Sequence, residues 1–167
     1  VLLTQGTYNT DPRDLLAPAL AGLGALDVDV VATTGRAGVV DVGVEVPANA
    51  RIVDFVDFAD VLPSTRVVVS NGGWGGVLDA LSAGVPMVVA GSDLDKPEIA
   101  ARVAWSGAGI DLRTGRPGAA RVRDAVCRVL ADPAFGARAT HVAGKLRRLG
   151  GAEAATTALE RFVDQTR

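Results

Sequence analysis

Two hydrophobic periods alternate along this chain. Short, nearly continuous apolar runs at 1–5 (VLLTQ), 28–34 (VDVVATT), 51–55 (RIVDF), 67–70 (VVVS) and 86–90 (PMVVA) are rich in β-branched residues, as buried strands are. Helical spacing takes over between them. Leu15, Leu16, Leu20 and Leu23 form one apolar stripe. Asp11 reads as the N-cap of that helix, with Pro12 in the first helical position and Asp14 adding negative charge to the first turn. Further helices are predicted over about 74–83 and 97–106, whereas "DFADVLP" (57–63) reads as a short turn. "GIDL" (109–112) reads as an edge strand, and the remainder as helix interrupted near Pro133 and Gly150-Gly151. No internal repeat, linker or low-complexity tract is visible.

Strands that alternate with helices predict a parallel sheet covered on both faces, because each parallel crossover needs the connection a helix supplies. The expected class is therefore α/β, a doubly wound, Rossmann-like sheet. In its common strand order, 3-2-1-4-5-6, a crevice opens between strands one and four, where the chain reverses direction. The loops at that mouth are "GTYNT" (6–10) and "NGGWGG" (71–76).

The second loop holds four glycines in six positions between a strand and a helix. Such a turn points unpaired N–H groups and the positive end of the helix dipole outward, which suits phosphate, and glycines let the main chain approach it. The plainer alternative is a tight turn with close helix–sheet packing. A cluster at the switch point favours the phosphate, most simply a diphosphate. G-x-G-x-x-G is absent after the first strand ("TQGTYNT"), the second ends in "ATTGRAG" without an acidic residue, and no G-x-x-x-x-G-K-[ST] occurs. NAD and ATP are thereby disfavoured.

Composition narrows the picture further. With 167 residues, 49% hydrophobic and 22% charged, the chain can bury one core, so a single domain over 1–167 is expected. A net charge of −2 offers no general attraction to nucleic acid or an anionic membrane, so an anion must be bound locally. The single Cys127 excludes an internal disulfide and a cysteine-rich metal site, and with no secretory signal or membrane-length apolar run the cytoplasm is the expected location. The chain opens at Val1 inside an apolar run and is expected to be part of a longer polypeptide. His141 lacks a spaced Cys, Asp or His partner, Arg121, Arg123, Arg147 and Arg148 read as solvated charges, and no Ser-His-Asp or Cys-His arrangement is detectable.

"TQGTYNTDPRDLL" (4–16), "VDFVDFADVLP" (53–63) and above all "SNGGWGGVLDALSAGVPMVVAGSDLDKPEIAARVAWSGAGI" (70–110) resemble the donor-binding half of GT-B glycosyltransferases. The likeness is to the family-1 enzymes that use UDP- or TDP-sugars, in the bacterial group that glycosylates antibiotics and other natural products. It implies the C-terminal half of a two-domain enzyme, with the donor in the cleft between the halves and the N-terminal acceptor domain absent from this chain. The implied partners are a nucleotide-sugar donor and, through the missing domain, a small-molecule acceptor, with no nucleic acid and no membrane. No cofactor or metal is implied, and the general base is expected in the other half, so no catalytic residue is assigned here.

Carried onto this chain, the resemblance gives nucleotide and phosphate contacts to Thr7, Phe55, Val56, Asn71, Gly72, Gly73, Gly75, Gly76 and Asp79. Asn71 stands where the family usually has a phosphate-binding His, and Gly76 where it has Ser or Thr, leaving only a backbone N–H. Asp79 holds the ribose position, where a carboxylate accepts hydrogen bonds from vicinal hydroxyls. Phe55 falls where an aromatic ring stacks on the base, and Val56 where backbone groups read its edge. Trp74, Asp95 and Lys96 fall on the sugar side. Lys96 replaces the usual Gln; it donates but cannot accept, and its charge suits either the diphosphate or an acidic group on the sugar. Asp57-Phe58, Gly91 and Ile99 also depart from the family's pattern.

Plainer roles stay open: a turn threonine at Thr7, packing for Phe55 and Trp74, a solvated carboxylate at Asp79. Asp93-Leu94-Asp95 has the form of a metal-binding D-x-D, but amides and a helix dipole already offset a diphosphate's charge, so that reading is rejected. A non-catalytic nucleotide-sugar-binding module, or a degenerate partner of such an enzyme, is the main alternative function, and an oxidoreductase domain is disfavoured.

Overall fold

The computed structural model describes residues 1–165. Six short strands, β1 (Leu2–Thr4), β2 (Val30–Thr33), β3 (Ala50–Val53), β4 (Val68–Ser70), β5 (Met87–Val89) and β6 (Gly109–Asp111), form one parallel sheet in the order β3-β2-β1-β4-β5-β6. This is the expected doubly wound arrangement. Around it lie α1 (Leu16–Leu23), α2 (Phe58–Val61), a 3₁₀ turn (Leu62–Ser64), α3 (Trp74–Ser82), α4 (Lys96–Ser106), α5 (Ala119–Ala131), α6 (Pro133–Arg148) and α7 (Gly151–Gln165).

Alternation along each strand divides the core into two. Leu3, Val69, Val88, Val30 and Ala32 face α1 and α5, meeting Leu16, Leu20, Leu23, Val122 and Val126. Leu2, Val68, Met87 and Val89 point the other way, against Val77 and Ala80 of α3, Ala100 and Val103 of α4 and Ala139 of α6. Both sheet faces are dry, which is why these strands read as unbroken apolar runs. α7 buries none of its residues. Among the described residues, no helix is long and apolar enough to cross a membrane.

Four local expectations need correction. The first helix starts at Leu16, not after Asp11. Asp11 instead closes a turn: its carboxylate accepts the Arg13 N–H (3.0 Å) and the Arg13 guanidinium (2.7 Å). The helix is capped from a distance, by Gln5 Oε1 accepting the Leu16 N–H at 3.1 Å. β3 ends at Val53, because Asp54 Oδ1 accepts the Phe55 N–H (2.8 Å) and turns the chain out of the sheet, leaving Phe55 in a loop. The segment read as a turn at 57–63 is largely helical, its start capped by Asp57 Oδ1 on the Ala59 N–H (2.8 Å). α4 begins at Lys96, one residue before its predicted start. The breaks near Pro133 and Gly150-Gly151 lie where expected, with Asp132 capping α6 and both glycines at positive φ.

α1 packs against the start of α5 at Gly22, where an added Cβ would lie 2.3 Å from the Ala119 carbonyl oxygen, a backbone atom that cannot step aside. Gly22→Ala is therefore expected to destabilise the fold by about 2–3 kcal/mol in urea unfolding. Gly136→Ala in α6, where a Cβ meets nothing within 4 Å, should instead stabilise by about 0.5–1 kcal/mol through helix propensity alone.

Candidate functional site

β1 and β4 are paired up to Thr4 and Ser70 and then part, because their crossovers run to opposite sides of the sheet. A cleft of about 800 Å³ opens above this divergence. Of the site residues singled out from sequence, all but Gly72 and Asp95 line it: Thr7, Phe55, Val56, Asn71, Gly73, Trp74, Gly75, Gly76, Asp79 and Lys96.

The glycine turn divides its work residue by residue. Gly72 sits at φ +85° with its N–H donated to Ser70 Oγ (3.0 Å), so it turns the chain and lies outside the cleft lining. Gly73 caps α3 and donates to Asn71 Oδ1 (3.3 Å). Trp74, Gly75 and Gly76 form the first turn of α3, whose N–H groups have no intrahelical acceptor, and no acidic residue occupies that turn. Unpaired N–H groups and the positive end of a helix dipole are chemically suited to an anion. A Cβ at Gly75 would meet open space, whereas one at Gly76 would touch the Phe58 ring at 3.4 Å.

Asn71 is buried and its side chain is engaged within the protein. Its Nδ2 donates to the Gln5 carbonyl and to Asn9 Oδ1 (3.3 Å), while its Oδ1 takes the Gly73 N–H. Lys96 is buried too; its Nζ donates to the same Asn9 oxygen (2.6 Å) and to Asp93 Oδ1 (2.8 Å). Gln5 completes this cluster, donating from Nε2 to the Asn9 (3.0 Å) and Asp11 (2.8 Å) carbonyls. Sequence reasoning missed Gln5 and Asn9. An amide at the end of a buried strand was the available signal, since such a group has to find partners.

Aromatic rings stand exposed around the cleft: Phe55 at 58%, Trp74 at 50% and Tyr8, which sequence reasoning also missed, at 80%. Neither Phe55 nor Trp74 is a core residue. Asp79 lies one turn into α3, solvent-exposed and in no ion pair among the described residues. Asp95 is exposed at the head of α4 and makes no capping bond. Asp93 pairs with Lys96, and no group of three or more potential metal ligands occurs among the described residues.

Asp54 holds the Phe55 loop to its neighbour, accepting the Gly38 N–H (2.9 Å) as well as that of Phe55. These bonds, Gly38 first, hold its carboxyl below the ordinary aspartate range. A depressed folded pKa means that the tether is complete above the unfolded value and is lost as pH falls through the folded one. In an NMR titration the Gly38 and Phe55 amide shifts should therefore move together, with a midpoint below that of a free aspartate, and Asp54→Asn should abolish the transition.

The chain matches the erythromycin biosynthesis protein CIII-like, C-terminal domain, over residues 17–161. It is 46% identical over 135 residues to 4'-demethylrebeccamycin synthase of Lentzea aerocolonigenes, an alignment that covers 81% of this chain and 31% of that protein. Among solved structures it resembles the calicheamicin glycosyltransferase CalG4 (TM-score 0.86, 27% identity, 99% of this chain and 43% of that one). It also resembles the glycosyltransferase VinC in complex with DTDP (TM-score 0.70, 32% identity, 86% and 36%). The chain spans about a third of the length of the curated relatives it matches, and its sheet is that of the GT-B glycosyltransferases. With the match running through most of the sheet and the whole glycine turn, the chain belongs to the erythromycin biosynthesis protein CIII-like C-terminal domain family of glycosyltransferases.

Proposed function

We propose that this chain is the donor-binding half of a glycosyltransferase and holds a UDP- or TDP-sugar for transfer to a hydroxyl of a natural-product acceptor. The observation that carries this reading is the first turn of α3, whose Trp74, Gly75 and Gly76 amides open into the cleft at the sheet's switch point. A diphosphate placed there meets N–H donors and the positive dipole end without a metal. The exposed Phe55 ring offers a stacking surface for the base, Val56 backbone groups its edge, and Asp79 a carboxylate for the ribose. Thr7 lines the cleft from the β1 loop within reach of a diphosphate, and Trp74 lines it beside the α3 amides, on the side read as the sugar's; Asp95 lies outside the lining at the head of α4, and Lys96 lines the cleft as its cation. The solved relative bound to DTDP supports a nucleoside diphosphate as the ligand. The acceptor and the general base belong to the remainder of the enzyme, so this chain alone is expected to bind donor with little or no transfer.

Isothermal titration with UDP, TDP, GDP and NAD tests the reading. A pyrimidine nucleoside diphosphate should bind and NAD should not; binding of NAD alone would end it. Gly75→Ala should leave the melting temperature unchanged, because its Cβ meets open space, yet weaken diphosphate binding about tenfold by standing between phosphate and amide.

Asp79→Ala should weaken UDP more than TDP, since ribose presents two vicinal hydroxyls and deoxyribose one. Each lost bond to the carboxylate is worth about tenfold. Unchanged affinity for both nucleotides would remove Asp79 from the ribose.

A further inference from the structure

Lys96 is the sole cation among the described residues that line the cleft; the other charged groups there are the carboxylates of Asp57 and Asp79. It is also 95% buried, at 5% relative exposure, where an ammonium persists only if its protons find acceptors. Two do, at Asn9 Oδ1 (2.6 Å) and Asp93 Oδ1 (2.8 Å), and the third has no partner among the described residues. Room for the lysine stem is built into the fold. An added Cβ at Gly91 would lie 2.6 Å from the Lys96 Cβ, and one at Gly72 3.5 Å from it.

The location of this charge gives it a role. Asn9 Oδ1 receives both Lys96 Nζ and Asn71 Nδ2, so the ammonium stands one hydrogen-bonded oxygen away from the residue that opens the glycine turn. Both amide protons of the Asn71 side chain are taken, and Gly72 and Gly73 have given their N–H groups to Ser70 and Asn71. The cleft lining thus combines the first-turn amides of α3 with the Lys96 ammonium as groups that can meet an anion. The competing anion, Asp93, lies outside the cleft lining with its side chain 48% exposed, so water screens its hold on the lysine.

We propose that Lys96 supplies the fixed positive charge against the donor's diphosphate, rather than a hydroxyl contact to the sugar, and that the phosphate competes with Asp93 for its ammonium. This rests on the reading of the cleft as a nucleotide-sugar site. Lys96 directs its unpartnered N–H to a phosphate oxygen, with Asn9 as the neutral acceptor that keeps the side chain in place. Asp57 and Asp79, which share the cleft, oppose the anion and make the single cation more necessary.

The test compares UDP with uridine, and TDP with thymidine, on the unmodified chain and on Lys96→Met, Lys96→Gln and Asp93→Asn, by titration calorimetry in low and moderate salt. Both lysine variants should bind diphosphates at least tenfold more weakly while nucleoside affinity stays within twofold, and the diphosphate's salt dependence should become shallower. Asp93→Asn, an exposed and isosteric change, should tighten diphosphate binding several-fold; it keeps the proposal testable should the buried lysine variants fail to fold. Unchanged UDP and TDP affinity in the lysine variants, a parallel loss of nucleoside, or weaker binding by Asp93→Asn would overturn it. If the unmodified chain binds pyrimidine nucleotides but the lysine variants bind them equally well, only this assignment fails; if the unmodified chain binds none, the reading of the cleft fails with it.

Discussion

The structure turns on the parting of β1 from β4. Both strands are central, their crossovers go to opposite faces, and the loops that leave them have no sheet partner to satisfy their polar groups. Three side-chain amides fill that need. Gln5 gathers the Asn9 and Asp11 carbonyls and caps α1, Asn71 reaches the Gln5 carbonyl, and Asn9 accepts from both Asn71 and Lys96. With the gap braced in this way, the glycine turn can present main-chain N–H groups without collapsing onto them. The brace also explains why the first helix starts late. A turn held by Asp11 and Gln5 occupies the residues that a shorter loop would have left to α1.

Most of the architecture was legible in the sequence because it follows from local periodicity and from chain connectivity. Buried parallel strands read as short apolar runs, and right-handed crossovers leave few orders in which to arrange six of them. The glycine turn was legible for a related reason: its position after the fourth strand places it at the switch point in any such order. Asp11 was misread because a carboxylate before Pro12 caps a helix and closes a turn with equal ease, and only Arg13 two residues on decides between them. Phe55 was drawn into the preceding strand because apolar character does not record where Asp54 bends the chain.

The interior of the site was less legible, because its contacts join distant parts of the chain. Asn71 meets Gln5 across 66 residues, and Lys96 meets Asn9 across 87. A residue type states what a side chain can donate or accept; it does not state whether a partner within the protein has already taken it. From sequence, Asn71 was a candidate donor to phosphate. In the fold its amide protons hold the turn's shape. Gly72, placed with its neighbours as a phosphate contact, likewise serves the turn through Ser70.

These particulars point to a division of labour between side chains and main chain. Beside the crevice the polar side chains of Gln5, Asn9 and Asn71 are engaged with one another and with the main chain, whereas the first-turn amides of α3 have no intrahelical acceptor and one ammonium proton has no partner among the described residues. Amides and a dipole act at short range and carry no net charge, so they hold an anion without an overall basic surface, in keeping with a chain whose formal charge is −2. Two carboxylates in the same cleft set a lower limit on what the amides must overcome, and a single desolvated cation within one hydrogen-bonded atom of the turn meets it more economically than a basic patch would. On this view the four glycines have different tasks. Gly72 bends the chain, Gly73 caps α3, Gly76 packs against the Phe58 ring, and Gly75 alone leaves bare main chain facing open space.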